Sequence, residues 1–128
     1  MPARILIIDD DPSSLALMTY LVEAAGHAAL EATDGGAGVR IALEARPDLV
    51  ICDLQMPVAS GFEVVRILHQ SPGWPRVPLI AVSAFSMSSD SQAALAAGFA
   101  AHISKPIDPE TFVARIETFL PPEPKACP

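Results

Sequence analysis

The sequence predicts an α/β fold of the doubly wound type: a parallel five-stranded sheet with helices on both faces, a (βα)5 three-layer arrangement. Three observations predict it. Short apolar runs alternate five times with segments of helical periodicity. Two of these runs, "ILII" and "DLVICDL", are almost wholly aliphatic, as strands covered on both faces must be. The chain has 128 residues, 51% hydrophobic and 18% charged, which suits one packed core rather than disorder.

The elements follow in order. "RILII" (4–8) is strand length and continuously apolar after its arginine. Asp11-Pro12 then starts a helix, with aspartate as N-cap and proline at the first helical position. The helix runs through "SSLALMTYLVEAA", with Leu15, Met18, Leu21 and Val22 on one face, and Gly26 closes it. "HAALEA" is a weaker second strand. "DGGAGVRIALEA" is a second helix, ended by Pro47. "DLVICDL" is the third strand, "QMPVASG" a loop and "FEVVRILHQ" a third helix. After the breaker "SPGWPRVP" come a fourth strand, "LIAVSA", and a fourth helix, "SSDSQAALAAG", stopped by Gly98. "AAHIS" is the fifth strand. "DPETFVARIETFL" is the fifth helix, with Phe112, Val113, Ile116, Phe119 and Leu120 as its inner face. One domain over 1–121 and a disordered tail over 122–128 are expected.

Composition narrows the function classes. A formal net charge of −7 without any basic run argues against nucleic acid and against anionic membrane surfaces. No apolar run approaches the roughly 20 residues that span a bilayer. Met1-Pro2-Ala3-Arg4 leads straight into a strand, so no secretory signal is expected. Cys52 in an apolar segment and Cys127 in the tail make a poor disulfide pair, which points to a reducing, cytoplasmic setting. His27 and His69 read as solvated helix or turn residues. No second histidine stands at ligand spacing, so zinc is not expected. Trp74, among prolines, reads as a loop cover.

In an open parallel sheet, ligands bind beyond the carboxyl ends of the strands. That rule selects a short group: Asp9, Asp10 and Asp11 after the first strand, Asp53 at the end of the third, Ser83 at the fourth and Lys105 at the fifth. If the first and third strands are neighbours, about 4.8 Å apart, the acids crowd together. Two unit charges about 4 Å apart repel by roughly 4 kcal/mol at an effective dielectric of about 20. One lysine does not balance them, so a hard divalent cation is expected, and Mg²⁺ suits an open site of one or two carboxylates. Ser83 and Lys105 suit phosphate oxygens. Asp53, beside both, is the candidate nucleophile for an aspartyl phosphate. Asp11 reads as a plain helix cap.

The motifs "ILIIDDD", "DLVICDLQMPVASGFEV", "LIAVSAF" and "HISKPI", in this order and spacing, resemble the receiver domain of two-component response regulators. The likeness runs from Arg4 to about Leu120 and leans toward stand-alone cell-cycle or developmental receivers and hybrid-kinase receivers. It implies a flavodoxin-like strand order, 2-1-3-4-5. It implies a phosphorylation switch that is not an enzyme beyond its own phosphorylation and dephosphorylation. Asp53 would accept the phosphoryl group from a sensor histidine kinase or a histidine phosphotransfer protein. Asp10 and Asp53 would bind Mg²⁺, with Mn²⁺ able to substitute, together with the backbone carbonyl of Gln55 and, directly or through water, Asp9. Ser83, the N–H of Ala84 and Lys105 would hold the phosphoryl oxygens, and the Lys105–Pro106 bond would be cis. Ser83 and His102 would be the switch, changing a partner surface of the fourth helix, fifth strand and fifth helix in a monomer or weak homodimer. Here serine stands where the family more often has threonine, and His102 where it has another aromatic ring. Gln55 and Phe85 flank the acceptor. An apolar Phe85 orients no water, so a long-lived phosphoaspartate is expected.

Two other functions compete. Asp9, Asp11 and Ser13 formally satisfy the Asp-x-Asp-x-Ser/Thr pattern of haloacid-dehalogenase-like phosphohydrolases, with Asp9 as nucleophile. After the lysine, however, only Asp108, helix glutamates and Glu123 of the tail remain as acids. A non-phosphorylated interaction module is the other, and the complete set of acids, hydroxyl and lysine argues against it.

Overall fold

The computed structural model describes residues 3–56, 60–72, 74, 77–84 and 88–120, and within the fourth helix the side chains from Gln92 onward. Phe85 and residues 121–128, including Cys127, lie outside the described residues.

Strands and helices alternate along the whole of it: β1 (Arg4–Ile8), α1 (Pro12–Ala24), β2 (Ala28–Ala32), α2 (Gly35–Ala45), β3 (Leu49–Asp53), α3 (Gly61–Gln70), β4 (Leu79–Ser83), α4 (Ser88–Ala97), β5 (Ala101–Ser104) and α5 (Pro109–Glu117). All strand pairs are parallel, in the order β2-β1-β3-β4-β5. The switch in order falls between β1 and β3, where Ile8 pairs with Cys52 and Asp9 and Asp53 come next.

Period-two alternation divides the core between the sheet faces. Ile5, Ile7, Leu49, Ile51, Ile80 and Val82 face α1 and α5, against Leu15, Met18, Phe112 and Ile116. Leu6, Ile8, Val50, Cys52, Leu79 and Ala81 face the other way, against Val64, Val65 and Leu68 of α3. The aliphatic side chains of β1, β3 and β4 are 0–1% exposed. Each contributes about 1.5–3 kcal/mol by leaving water, which is why these strands read as unbroken apolar runs. Trp74, between α3 and β4, packs on the second cluster at the amino edge of the sheet.

Four helices open on side-chain caps at the carboxyl edge. Asp11 accepts from the N–H of Ser13 (3.3 Å), Asp34 from Ala37 (2.8 Å), Ser60 from Glu63 (3.4 Å) and Asp108 from Glu110 (3.0 Å). Substituting such a cap by alanine typically costs about 1 kcal/mol. Gly61 lets α3 start hard against β3. A Cβ there would stand 2.7 Å from the backbone oxygen of Asp53 and 3.0 Å from Leu54 Cα.

Some boundaries differ from expectation. The second helix ends at Ala45 as expected, but its stop is Arg46 in the left-handed region (φ 52°), whose N–H bonds the Ala42 carbonyl, rather than Pro47. β5 ends at Ser104, so Lys105 stands just beyond it. α5 ends at Glu117, three residues early. The Thr118 hydroxyl donates to the Arg115 carbonyl (2.7 Å), and Phe119 and Leu120 still pack on the core. His27 is not a solvated turn residue. Its Nδ1 accepts from the N–H of Ala3 (3.0 Å), and its Nε2 lies 2.7 Å from Glu117 Oε2, with the imidazole 12% exposed. It clamps the start of β1 to the end of α5. His69 is exposed, as expected, but its ring lies over Gly98, where a Cβ would come within 2.5 Å.

Candidate functional site

Among the described residues, the buried polar or charged ones are Asp9 (0% exposed), Asp53 (4%) and Ser83 (0%), and all three meet at the carboxyl edge of the sheet. Asp9 follows β1, Asp53 closes β3 and Ser83 closes β4. Backbone bonds fix their places: Asp9 N–H to the Ala32 carbonyl (3.0 Å), Leu54 N–H to Val82 (2.9 Å) and Lys105 N–H to Ser83 (2.8 Å).

The two buried carboxylates use the same local device. Asp9 Oδ1 accepts from the N–H of Asp11 (2.9 Å) and Asp53 Oδ1 from the N–H of Gln55 (3.1 Å), each two residues on. This aspartate turn aims the acid outward from the strand end. The second oxygens face Lys105. Its ammonium lies 3.1 Å from Asp9 Oδ2 and 3.4 Å from Asp53 Oδ2. The Asp53 contact is a hydrogen bond, and the Asp9 contact is an ion pair without hydrogen-bond alignment. The Lys105–Pro106 bond is cis, as expected.

Charge and burial work against each other here. Burial, joined by the Asp9 charge, pushes the Asp53 carboxyl up to about 6, against the opposing pull of the Gln55 N–H and Lys105. Burial draws Lys105 down, but the carboxylates of Asp53 and Asp9 outweigh it and hold the ammonium above its ordinary range. Cys52, behind the site, is free and inert: burial, then Asp53 and Asp9, push its thiol far up. Asp11 is spent on the cap. Bonds from the Ser14 hydroxyl and Ser13 N–H lower its carboxyl below the ordinary value.

Asp10 is exposed at the mouth, and one carboxylate oxygen from each of Asp9, Asp10 and Asp53 lies within 4.8 Å of the others. The set fits a hard divalent cation: all donors are oxygen, two are buried, and Asp9 Oδ2 lacks an aligned donor.

Ser83 Oγ donates to Gln55 Oε1 (3.3 Å), and Ala84 follows exposed. His102 is half-buried, pairs in register with Ala81, and its backbone carbonyl accepts from the Arg115 guanidinium (3.3 Å). The alternation of β4 and β5 puts it on the same sheet face as Ser83. Gln55 was expected beside the acceptor, but not the bond between its side chain and Ser83. Its partner lies 28 residues away, and no local pattern announces that contact.

A doubly wound sheet carrying a buried acid pair, a lysine and an acidic mouth defines a class of signalling domain. The chain belongs to the response regulator receiver domain family, whose model matches residues 5–117. It is 35% identical over 120 residues to the polar-differentiation response regulator DivK of Brucella anthropi, covering 94% of this chain and 98% of that one. It is 35% identical over 118 residues to Protein PilH of Pseudomonas aeruginosa, covering 92% and 98%. The chemotaxis protein CheY4 of Vibrio cholerae has the same fold, with a TM-score of 0.87 at 28% identity, over 94% of this chain and all of that one. Receiver domains are signalling modules rather than enzymes. Among the described residues, no helix is long and apolar enough to cross a membrane.

Proposed function

We propose that the chain is a phosphorylation switch in which Asp53 takes a phosphoryl group from a phosphohistidine on a sensor kinase or phosphotransfer protein. One observation carries this: a single lysine reaches both buried carboxylates while a third acid closes the mouth above them. Asp9, Asp10, Asp53 and the backbone carbonyl of Gln55 would hold Mg²⁺, with Mn²⁺ as a substitute. Bound there, the cation supplies positive charge to the acids and to the phosphoryl oxygens.

The chain's own groups do the rest. Asp53, held by the Gln55 N–H, presents a carboxylate oxygen to phosphorus, and the bond from phosphorus to the imidazole nitrogen breaks as the acyl phosphate forms. Lys105 turns from the carboxylates to the new phosphoryl oxygens. The Ser83 hydroxyl and the Ala84 N–H complete the cradle. Ser83 and His102 then carry the change to the surface of α4, β5 and α5, where a downstream protein binds.

Acetyl phosphate with Mg²⁺ should add one phosphoryl group by intact mass, and beryllofluoride with Mg²⁺ should shift backbone NMR signals around Ser83. Asp53→Asn should do neither. An unresponsive wild-type chain would leave only the unphosphorylated interaction module.

A further inference from the structure

We infer that His27 is a proton-operated clamp at the amino edge of the sheet: neutral, its imidazole joins the start of β1 to the end of α5, and a second proton opens the β1 jaw while the α5 jaw stays shut.

The place of the ring is set by how α1 ends. Gly26 takes a positive φ of 94°, its N–H bonds the Glu23 carbonyl (3.0 Å), and the His27 N–H bonds the Val22 carbonyl (3.2 Å). This paired closure of a helix fixes the backbone of the residue after the glycine. The next residue is held as well, with the Ala28 N–H on the Ala3 carbonyl (2.8 Å). Only side-chain rotation is left to the imidazole.

Its partners then decide where the protons sit. Nδ1 accepts from the Ala3 N–H (3.0 Å), so it carries none. Nε2 holds the one proton of the neutral ring and gives it to Glu117 Oε2 (2.7 Å). A second proton has only Nδ1 to go to. There it sets N–H against N–H, at a residue buried away from water. The Glu117 contact keeps its donor and becomes an ion pair. Ala3 therefore favours the neutral ring and Glu117 the charged one. Among the described residues, Glu117 is the ring's one ion-pair partner. Of the other charged groups on the elements around it, Asp48 accepts from the Arg4 N–H (2.9 Å), Arg115 donates to the His102 carbonyl (3.3 Å), and Arg4 and Glu23 are exposed. The clamp lies the length of β1 away from the acids, so it answers to pH separately from Asp53.

The test is NMR of the full chain in chelator, from about pH 8 down to about pH 5, across the ordinary range of an imidazole. Long-range ¹H–¹⁵N spectra should place the ring proton on Nε2 at the upper end. As the ring takes its second proton, protection of the Ala3 amide against hydrogen exchange should fall by about tenfold, the worth of one net hydrogen bond, with the same midpoint. Asp53 takes up its own proton at about 6, so that midpoint should be the same in Asp53→Asn. Glu117→Gln keeps an acceptor but removes the charge, and should move the Ala3 midpoint down by about half a pH unit or more. His27→Gln should make Ala3 protection independent of pH. A proton on Nδ1 at the upper end, Ala3 protection that stays level across the range, or a midpoint that Glu117→Gln raises would overturn the inference.

Discussion

Without metal, the acid cluster should weaken the fold, and Asp53→Asn should relieve it. Asp53 titrates near about 6 instead of 3.8, chiefly because it is buried. Roughly two units at about 1.36 kcal/mol each make ionisation of Asp53 cost the folded chain about 3 kcal/mol. Ionisation is shared with Asp9 and Lys105, and asparagine offers Lys105 an N–H₂ where it had an acceptor. The expected gain is therefore about 1–3 kcal/mol, or a melting point higher by about 4–12 °C. The sign follows from linkage. The folded-state pKa lies above the unfolded one, so the folded chain binds the extra proton between 3.8 and about 6. The stability this group lends the wild type is fully present below 3.8 and is lost as pH rises through about 6. The asparagine chain should thus match the wild type near about pH 3.5 and exceed it by the full amount near about pH 7.5. The assay is urea unfolding in chelator, followed by far-UV circular dichroism at both pH values. Excess Mg²⁺, binding the native wild type, should then close the gap, since a ligand at about 100 times its Kd adds about 2.7 kcal/mol. An asparagine variant no more stable than wild type at the higher pH, or equally advantaged at both, would refute the reasoning.

Gly61→Ala should destabilise the chain by about 1–3 kcal/mol in urea unfolding, because its Cβ meets backbone rather than a movable side chain. It should also weaken beryllofluoride binding, since the atom it displaces belongs to Asp53. His27→Ala should cost about 1–3 kcal/mol by leaving the N–H of buried Ala3 without its acceptor, and hydrogen exchange at Ala3 and along α5 should quicken. The phosphorylated chain, whose sequence has an apolar Phe85 two residues after Ser83, should hold its phosphoryl group for minutes or longer. A half-life of seconds by phosphate release would contradict that reading.

The parts of this molecule that sequence revealed are those governed by local or topological rules. Strands covered on both faces need unbroken aliphatic runs, so β1, β3 and β4 stood out. Aspartate followed by proline marks a helix start, so α1 and α5 did too. The convergence of Asp9, Asp53, Ser83 and Lys105 was legible because each ends or directly follows a strand of one parallel sheet, whose carboxyl ends share an edge. The contacts that escaped join positions no periodicity connects. His27 meets Ala3 and Glu117, 24 and 90 residues away, and as a lone polar residue in a turn it looked solvated. Arg46 ends α2 in a left-handed conformation where a glycine would have been the sequence signal.

Trp74 is the chain's one tryptophan, and it sits at the amino edge of the sheet, packed on the core. A five-residue strand lies between that edge and the acids, about 16 Å of rigid sheet. Its emission should therefore follow the melting of the core yet stay nearly constant as Asp53 is charged or discharged. Nature has given the molecule a thermometer but no indicator lamp, and a dye placed near the carboxyl edge would add the missing one.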